Sequence, residues 1–346
     1  MSTPGAHPPA TPPEVSVVVT NFNYARFVQT AIRSVAAQTY PWFRCVIVDD
    51  CSTDGSAHAI EGTLAEIQDS RFEFFRRTEN GGQLAGMADG LGRTGEPFVA
   101  FLDADDAWHA DFLAEHIRAH LNTARPAGFS SSDMALIDAD GALLAGTTFF
   151  FDKHRPNGGP IPQEHLLGHI GKRGIRFRRT REIVYKNSRE EVRHWSPTSS
   201  LVFRRALLQL IWPELHPAFR ISPDHYIPYL CHLVSGCLLL ADALAFYRLH
   251  GSNHYSRNLV LGGTTSFTDQ DWRPIHAAQD SLMIAHVQKR RADFERALGA
   301  ERTTAILAQL CGVDRVVASK HSRKRPSSVA GARIRKLARE LRLIRP

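Results

Sequence analysis

The chain has 346 residues, 43% hydrophobic and 22% charged, enough for one large domain or two modest ones with a proper core. Its formal charge of +7 is unevenly placed: residues 320–346 hold ten Lys/Arg against the single acid Glu340, a surplus of +9 that leaves the rest at −2. A near-neutral body argues against nucleic-acid binding by the core, which would need a basic face. The five cysteines, Cys45, Cys51, Cys231, Cys237 and Cys311, form no CxxC pair, so neither a zinc site nor a disulfide framework is signalled. A reducing cytoplasm is the expected compartment. The apolar tract 237–247 is broken by Asp242 and falls short of a membrane span. Residues 1–13 lack a charged n-region and an apolar h-region, and read as a disordered Pro-rich leader rather than a secretory signal.

Residues 15–20 are β-branched but for Ser16 and predict a buried strand ending in the loop Asn21-Phe22-Asn23-Tyr24. A helix is expected over 25–38, with Phe27, Ala31, Ile32 and Val35 on one face. A second strand over 43–48, with Cys45 as a small core residue, runs into Asp49 and Asp50, and a helix over 56–67 follows. Residues 72–75 suit a third strand, Asn80-Gly81-Gly82 a turn with room for a ligand, and 83–91 another helix. Residues 98–102 are all apolar, the run expected of a strand buried on both faces of a parallel sheet. A helix near 109–121 comes next. The β-α-β-α-β-α-β order predicts a mostly parallel sheet flanked by helices, with right-handed crossovers. No GxGxxG follows the first strand, so the usual dinucleotide fingerprint is missing.

The strand over 98–102 breaks at once into Asp103, Asp105 and Asp106. Three carboxylates in four residues repel one another and call for a cation, and in open α/β sheets ligands bind beyond the carboxyl ends of strands. Oxygen ligands of this kind suit Mg²⁺ or Mn²⁺, ions that also hold substrate phosphates. Asp106 is open to a simpler role as a cap of the next helix. The second strand also ends in acids: Asp49 is expected as a buried anchor, Asp54 as a helix cap, and Asp50 as an acceptor for a base N–H or a ribose hydroxyl.

Residues 15–121 resemble the nucleotide-sugar half of a family 2 glycosyltransferase with the GT-A fold. The resemblance is carried by VSVVVTNFNYARFVQTAIRSVAAQTY, VIVDDCSTDGS, ENGG and VAFLDADDAWHADFL, in that order and spacing. It implies that Thr20 and Phe22 line the nucleobase pocket and that Asp50 binds the base. Asp103 would hold the ribose or assist the metal, and Asp105 would ligate the Mn²⁺ or Mg²⁺ bridging the donor's diphosphate. Cys51 stands where family members often have Gly or Ser.

Downstream, 129–137 suits a strand and Asp140-Gly141 a hairpin turn. Residues 146–193 turn Gly-, Pro- and Arg-rich and read as an irregular insertion. Its Arg173, Arg176, Arg178, Arg179 and Arg181 fit a solvated loop, or a face toward a phosphate-bearing acceptor. A strand is expected over 201–203, preceded by Trp195, which suits an acceptor floor or a packed core. Asp224, in Ile221-Ser222-Pro223-Asp224-His225-Tyr226, matches the family's catalytic base. His225 is the backup base, and a helix N-cap the plainer role for Asp224. Residues 243–252 resemble the family's closing segment, which makes His250 a third group around the cation and Arg248 a phosphate partner.

The glycosyltransferase domain is thus expected over 14–260, divided at 121/122, with a helical extension over 261–319. That extension holds a helix over 272–298 facing the core through Ile275, Ala278, Leu282, His286 and Val287, and another over 300–310. In the basic tail, 320–346, Ile334, Leu337, Leu341 and Ile344 share one face of a helix ringed by Arg and Lys. Such a helix suits peripheral contact with the inner face of the plasma membrane, where a lipid-linked or other saccharide acceptor would lie. The activity expected is transfer of a sugar from a nucleotide-diphosphate sugar to an acceptor hydroxyl with inversion, in cell-surface polysaccharide or glycolipid synthesis. A nucleotidyltransferase acting on a sugar phosphate, or a non-catalytic nucleotide-binding partner protein, are the alternatives. The first would want a basic Gly-rich loop near the first strand, and NFNYARF is a poor version of one.

Overall fold

The computed structural model of the chain describes residues 11–145, 169–171, 174–176, 183–188, 195–253 and 272–321. The first half alternates as expected: β1 (Val15–Asn21), α1 (Val28–Ala36), β2 (Phe43–Asp49), α2 (Ser56–Ile67), β3 (Phe72–Arg76), α3 (Gln83–Gly92) and β4 (Phe98–Asp103). The short β5 (Ala107–Trp108) and α4 (Phe112–Leu121) complete it. Then come β6 (Phe129–Asp138), β7 (Leu143–Ala145), β8 (His169–Gly171), β9 (Gly174–Arg176), β10 (Ile183–Lys186) and β11 (Leu201–Arg204). The chain goes on through α5 (Arg205–Ile211), α6 (Ile227–Ser235), β12 (Cys237–Leu249), α7 (Arg273–Lys289), α8 (Arg291–Leu298) and α9 (Ala300–His321).

The main sheet runs β10-β12-β6-β11-β4-β1-β2-β3, with β5 paired to β12 and β7 to β6; β8 and β9 form a separate ribbon. Strands β3, β2, β1 and β4 are parallel, as the alternation predicts, and β6 and β12 are parallel to each other. The antiparallel β11 lies between β4 and β6, so the second half of the sheet is mixed. Both faces of the sheet are covered. Helices α1, α2 and α4 pack on one side against Val15, Val17, Val19 and Leu102; α3 and α5 to α9 pack on the other against Val18, Val99, Phe101 and Phe203. Two-sided burial explains why Phe98–Leu102 of β4 is an unbroken apolar run and why β1, apart from the buried Ser16, is a run of valines rather than an alternating pattern. Helix α3 approaches β1 so closely that a Cβ on Gly90 would lie 2.3 Å from Val18 Cγ1.

Several expected boundaries shift for local reasons. Helix α1 begins at Val28 because the Tyr24 carbonyl accepts from the N–H groups of Phe27 and Val28, a turn that precedes the helix. Helix α4 begins at Phe112 because the backbone at 109–110 is engaged elsewhere, His109 N–H donating to Leu244 O and Ala110 O accepting from Thr39 N–H. Asp106 therefore caps nothing; it is buried and accepts from the Arg248 N–H at 3.0 Å. Cys45 is fully buried, and the Asp140-Gly141 turn joins β6 to β7. The helix expected over 272–298 breaks at Arg290 into α7 and α8. The buried residues of α7 are Gln279, Asp280, Met283, Ile284 and Val287, a face turned by about one position from the expected one. Helices α7 to α9 join the same core as α5 and α6 through Met283, Phe294 and Ile306.

Among the described residues no helix is long and apolar enough to cross a membrane. The helical face expected over 330–344, the leader up to residue 10, and most of the insertion 146–193 lie outside the described residues.

Candidate active site

The chemistry-bearing residues collect at the carboxyl edge of the parallel strands. The register sets Thr20 of β1 beside Val48 of β2 and Asp103 of β4, so the loops after all three strands open into one crevice. Of the four non-glycine residues with positive φ among the described residues, three lie in these loops or facing them: Asn23 (58°), Cys51 (63°) and Ser222 (60°). Such backbone persists where its surroundings over-determine it. Here Asn21 Nδ2 donates to Asp49 Oδ1 at 2.7 Å, the Ser52 hydroxyl donates to the same oxygen at 2.5 Å, and Thr53 N–H donates to Asn23 Oδ1. Asp49 is the buried strand-end anchor that was expected. Asp54 accepts from the Ser56 hydroxyl and from the N–H groups of Ala25 and Ser56 at the start of α2; against the upward push of burial, these bonds, the hydroxyl's first, hold its carboxyl below the usual range.

Asp50 has a fuller set of protein partners than base recognition requires. Oδ1 accepts from Gly81 N–H at 2.9 Å and pairs with Arg77 at 3.0 Å, while Oδ2 accepts from Gly82 N–H at 2.7 Å. A carboxylate offers about four acceptor sites, so about one is left open once these three are made. The carboxylate thereby fixes the Asn80-Gly81-Gly82 turn. Gly82 has φ +87°, and a Cβ there would meet Arg220 Cα at 2.8 Å and Arg220 O at 2.9 Å. Gly82→Ala should cost about 1–3 kcal/mol from the backbone alone, and more from the contact. The denaturant midpoint would check this; a midpoint equal to the parent's would show that the turn is loose.

Gln83, first residue of α3, is the connection that sequence reasoning missed. Its Nε2 donates to Asp103 Oδ1 at 2.8 Å, and its Oε1 accepts from Ser222 N–H at 3.1 Å. The Ser222 hydroxyl in turn donates to Asp224 Oδ1 at 2.5 Å. One amide thus joins the end of β4 to the turn that carries Asp224. Thr20 also donates to Asp103 Oδ1, at 3.2 Å, and Asp103 N–H donates to the Ser199 hydroxyl. Phe22 remains 44% exposed, an aromatic face directed to solvent. Tyr24 turns inward instead, its phenol hydrogen-bonded to Asp105.

His250 comes to Asp105 from the far end of β12. Register shifts between Leu240 and Ala245 bend this strand so that its second half pairs with β5, next to the acidic turn. His250 Nε2 lies 3.1 Å from Asp105 Oδ2, its side chain 3% exposed between Phe27 and Tyr24. Asn253 fixes this end, accepting from His250 N–H and donating to Arg248 O. Arg248 takes a role other than the phosphate contact expected of it. Its guanidinium is buried over the Phe27 ring and donates to the carbonyls of Asp105, Asp138 and Ala139, so it shapes the acidic turn from behind.

The electrostatics are strained toward the acid side. Burial, then the charge of Asp105, pushes the Asp103 carboxyl up to about 7, against the pull of Gln83; Asp224 adds to the push. Asp106 is lifted well above the usual range by burial and by Asp105 and Asp103. Burial raises Asp224 as well, with Ser222 pulling it back. The phenols of Tyr24 and Tyr247 are both held protonated by burial and by these carboxylates. Excess negative charge on buried carboxylates is the setting in which a cation is most strongly held. Among the described residues no three His, Cys, Asp or Glu side chains form a ready-made metal cage. The donor set of Asp105 with His250 fits the other mode, in which a hard or borderline ion takes one or two protein ligands and completes its shell with phosphate and water.

Asp224 sits in the short turn Pro223–His225 ahead of α6, whose N-cap position is Tyr226, so Asp224 does not cap that helix. His225 Nε2 is engaged by Asp280 Oδ1 at 3.0 Å. Trp195 packs edge-on against Phe129 and near Tyr229, on the core side of its two expected roles.

The glycosyl transferase family 2 model matches residues 16–127, the stretch from the second residue of β1 to just beyond α4. The uncharacterized glycosyltransferase alr2836 of Nostoc sp. is 30% identical over 244 residues, covering 70% of this chain and 66% of that protein. The putative teichuronic acid biosynthesis glycosyltransferase TuaG of Bacillus subtilis is 33% identical over 132 residues, 38% of this chain and 51% of that one. The chain thus spans about two thirds of the first relative and half of the second. Among solved structures, a mannosyltransferase of Pyrobaculum calidifontis in complex with GDP-Man and Mn²⁺ superposes with a TM-score of 0.51 at 16% identity, covering 96% of this chain and 82% of that one. The family match, the relatives and the sheet with its acid-tipped parallel strands agree: the chain belongs to glycosyl transferase family 2 and has the GT-A fold.

Proposed function

We propose that this protein transfers a sugar from a nucleotide-diphosphate donor to an acceptor hydroxyl, with inversion and with a divalent metal, in the synthesis of a bacterial cell-surface polysaccharide or glycolipid. The observation that carries this reading is the hydrogen-bonded line Asp103–Gln83–Ser222–Asp224, which joins a donor-side carboxylate to a candidate base across one crevice. The relative named for teichuronic acid biosynthesis supports the polysaccharide setting.

In this reading Phe22 and Thr20 form the wall of the nucleobase pocket, and Asp50 both fixes the Gly81-Gly82 turn and offers its remaining acceptor site to the base. Asp103 accepts from a ribose hydroxyl. Asp105 and His250 would hold Mn²⁺ or Mg²⁺, and that ion would supply Lewis-acid stabilisation of the charge on the leaving diphosphate. Asp224 removes the proton of the attacking acceptor hydroxyl, and its raised, buried carboxyl makes it a stronger base than an exposed aspartate. The basic residues of 320–346 would hold the enzyme at the cytoplasmic membrane face, next to a lipid-linked acceptor.

The test is a thermal-shift screen of UDP-glucose, UDP-N-acetylglucosamine and GDP-mannose, each with and without Mn²⁺. A donor at 100 times its dissociation constant should add about 2.7 kcal/mol of stability, and only when Mn²⁺ is present. Release of a nucleoside diphosphate, rather than pyrophosphate from a nucleoside triphosphate, separates this reading from nucleotidyl transfer. Metal-independent stabilisation by every donor would refute the metal assignment.

A further inference from the structure

Helix α7 lies beyond the matched family segment and beyond the stretch in which the sequence carries any motif, yet it touches the turn of Asp224 on both sides. Gln279, fully buried, donates Nε2 to the carbonyls of Ala218 at 2.7 Å and Ser222 at 3.2 Å. Asp280, 7% exposed, engages His225 Nε2 at 3.0 Å. His225 also lies flat on His276, with ring centroids 4.0 Å apart and an interplanar angle of 7°, and His276 stacks in turn on Trp272. Trp272, His276, Gln279 and Asp280 are spaced four, three and one apart, which puts them on one face of the helix.

Two of the residues so held, Ser222 and His225, flank Asp224 in the turn, two residues before it and one after. Ser222 has φ 60° and ψ 53°, a left-handed conformation costing roughly 1–3 kcal/mol for a non-glycine residue, so the turn needs restraint from outside itself. Gln83 supplies it at the Ser222 N–H and Gln279 at the Ser222 carbonyl. Polar side chains are buried on α7, where the helical pattern calls for apolar ones, because they have this work. We propose that this face of α7 is a positioning element for the transfer reaction: Gln279 and the Asp280–His225 pair hold the Asp224 carboxylate where it meets the acceptor hydroxyl. The inference rests on Asp224 being the base.

The test uses the full-length protein and follows nucleoside diphosphate release with Mn²⁺ from whichever of UDP-glucose, UDP-N-acetylglucosamine and GDP-mannose it turns over. Asp280→Ala should lower kcat by about 10²-fold, the effect of an ångström-scale misplacement. The donor KM and the thermal shift given by UDP or GDP with Mn²⁺ should not change. Asp280→Asn keeps an acceptor for His225 and should recover most of the rate. In the Asp224→Asn background Asp280→Ala should cause no further loss, because residues acting as a unit are non-additive. If Asp280→Ala folds poorly, His225→Gln removes the other partner and must show the same split between kcat and KM. Equal losses in both backgrounds, or a loss seen only in melting temperature or donor KM, overturns the inference and leaves the base assignment standing. Full turnover by Asp224→Asn alone overturns both.

Discussion

Asp224→Asn should lower kcat by about 10²- to 10⁴-fold, the usual contribution of a general base, while donor binding stays near that of the parent. The substitution is close to isosteric, and the Asn side-chain oxygen can still accept from the Ser222 hydroxyl that now lies 2.5 Å from Asp224 Oδ1. The turn should therefore keep its shape. The charge of Asp224 is one of the causes that raise Asp103, so its removal relieves repulsion and should leave stability unchanged or slightly higher. The pH profile gives a second readout. A base acts in its ionised form, and burial lifts this carboxyl above its ordinary value. The acid limb of kcat should accordingly lie above the ~3.9 of an exposed aspartate, and it should vanish from the variant's residual rate. Nucleoside diphosphate release measures the rate, and the thermal shift with UDP or GDP and Mn²⁺ measures binding. Near-normal turnover would remove Asp224 from the mechanism and return attention to the carboxylates beside it.

The parts of this site legible in the sequence are those fixed by single strands. Val17–Val19 and Phe98–Leu102 are apolar because both sheet faces are covered, and the ends of these runs announce Thr20 and Asp103 without help from any partner. Roles that depend on register between distant segments were not legible. Arg248 looked like a phosphate ligand because nothing local reveals that the carbonyls of Asp105, Asp138 and Ala139 surround its guanidinium. Tyr24 and Phe22 are two residues apart in one loop, and only the fold turns the first toward Asp105 and leaves the second exposed. Gln83 reads as an ordinary first residue of a helix until both ends of its amide are seen to be occupied. In α7 the helical period was legible but its phase was not. Gln279 and Asp280 are polar residues in the buried face, which a pattern of apolar positions assigns to solvent. A signal was present all the same: two adjacent polar residues interrupt an otherwise usable apolar face, and such an interruption asks for partners.

Asp105→Asn should separate folding from function more sharply than any other single change. The amide is nearly isosteric with the carboxylate and keeps one acceptor oxygen for its neighbours Tyr24 and His250, whose Nε2 lies 3.1 Å from Oδ2. One acceptor is thus kept and one negative charge is lost from a site that also holds Asp103, Asp106 and Asp224. Asp105 is the largest charge acting on Asp106 and on Asp103, both of which are raised. A carboxyl raised in the folded state weakens that state as pH climbs from its unfolded value through its folded one, here from ~3.9 to about 7 for Asp103. Less repulsion should make the variant at least as stable as the parent near neutral pH, and the gain should fade toward pH 4, where the carboxyls protonate in either protein. Its response to Mn²⁺ with nucleotide should disappear, because a neutral amide is a poor ligand for a hard dication. Loss of several kcal/mol of charge stabilisation corresponds to a fall in kcat/KM of roughly 10³-fold, at about 1.4 kcal/mol for each factor of ten. Melting curves with and without Mn²⁺ and UDP or GDP, across pH 4–8, report both effects on one sample. A variant that is destabilised but still answers to Mn²⁺ would mean that Asp105 serves the fold and that the ion is held elsewhere.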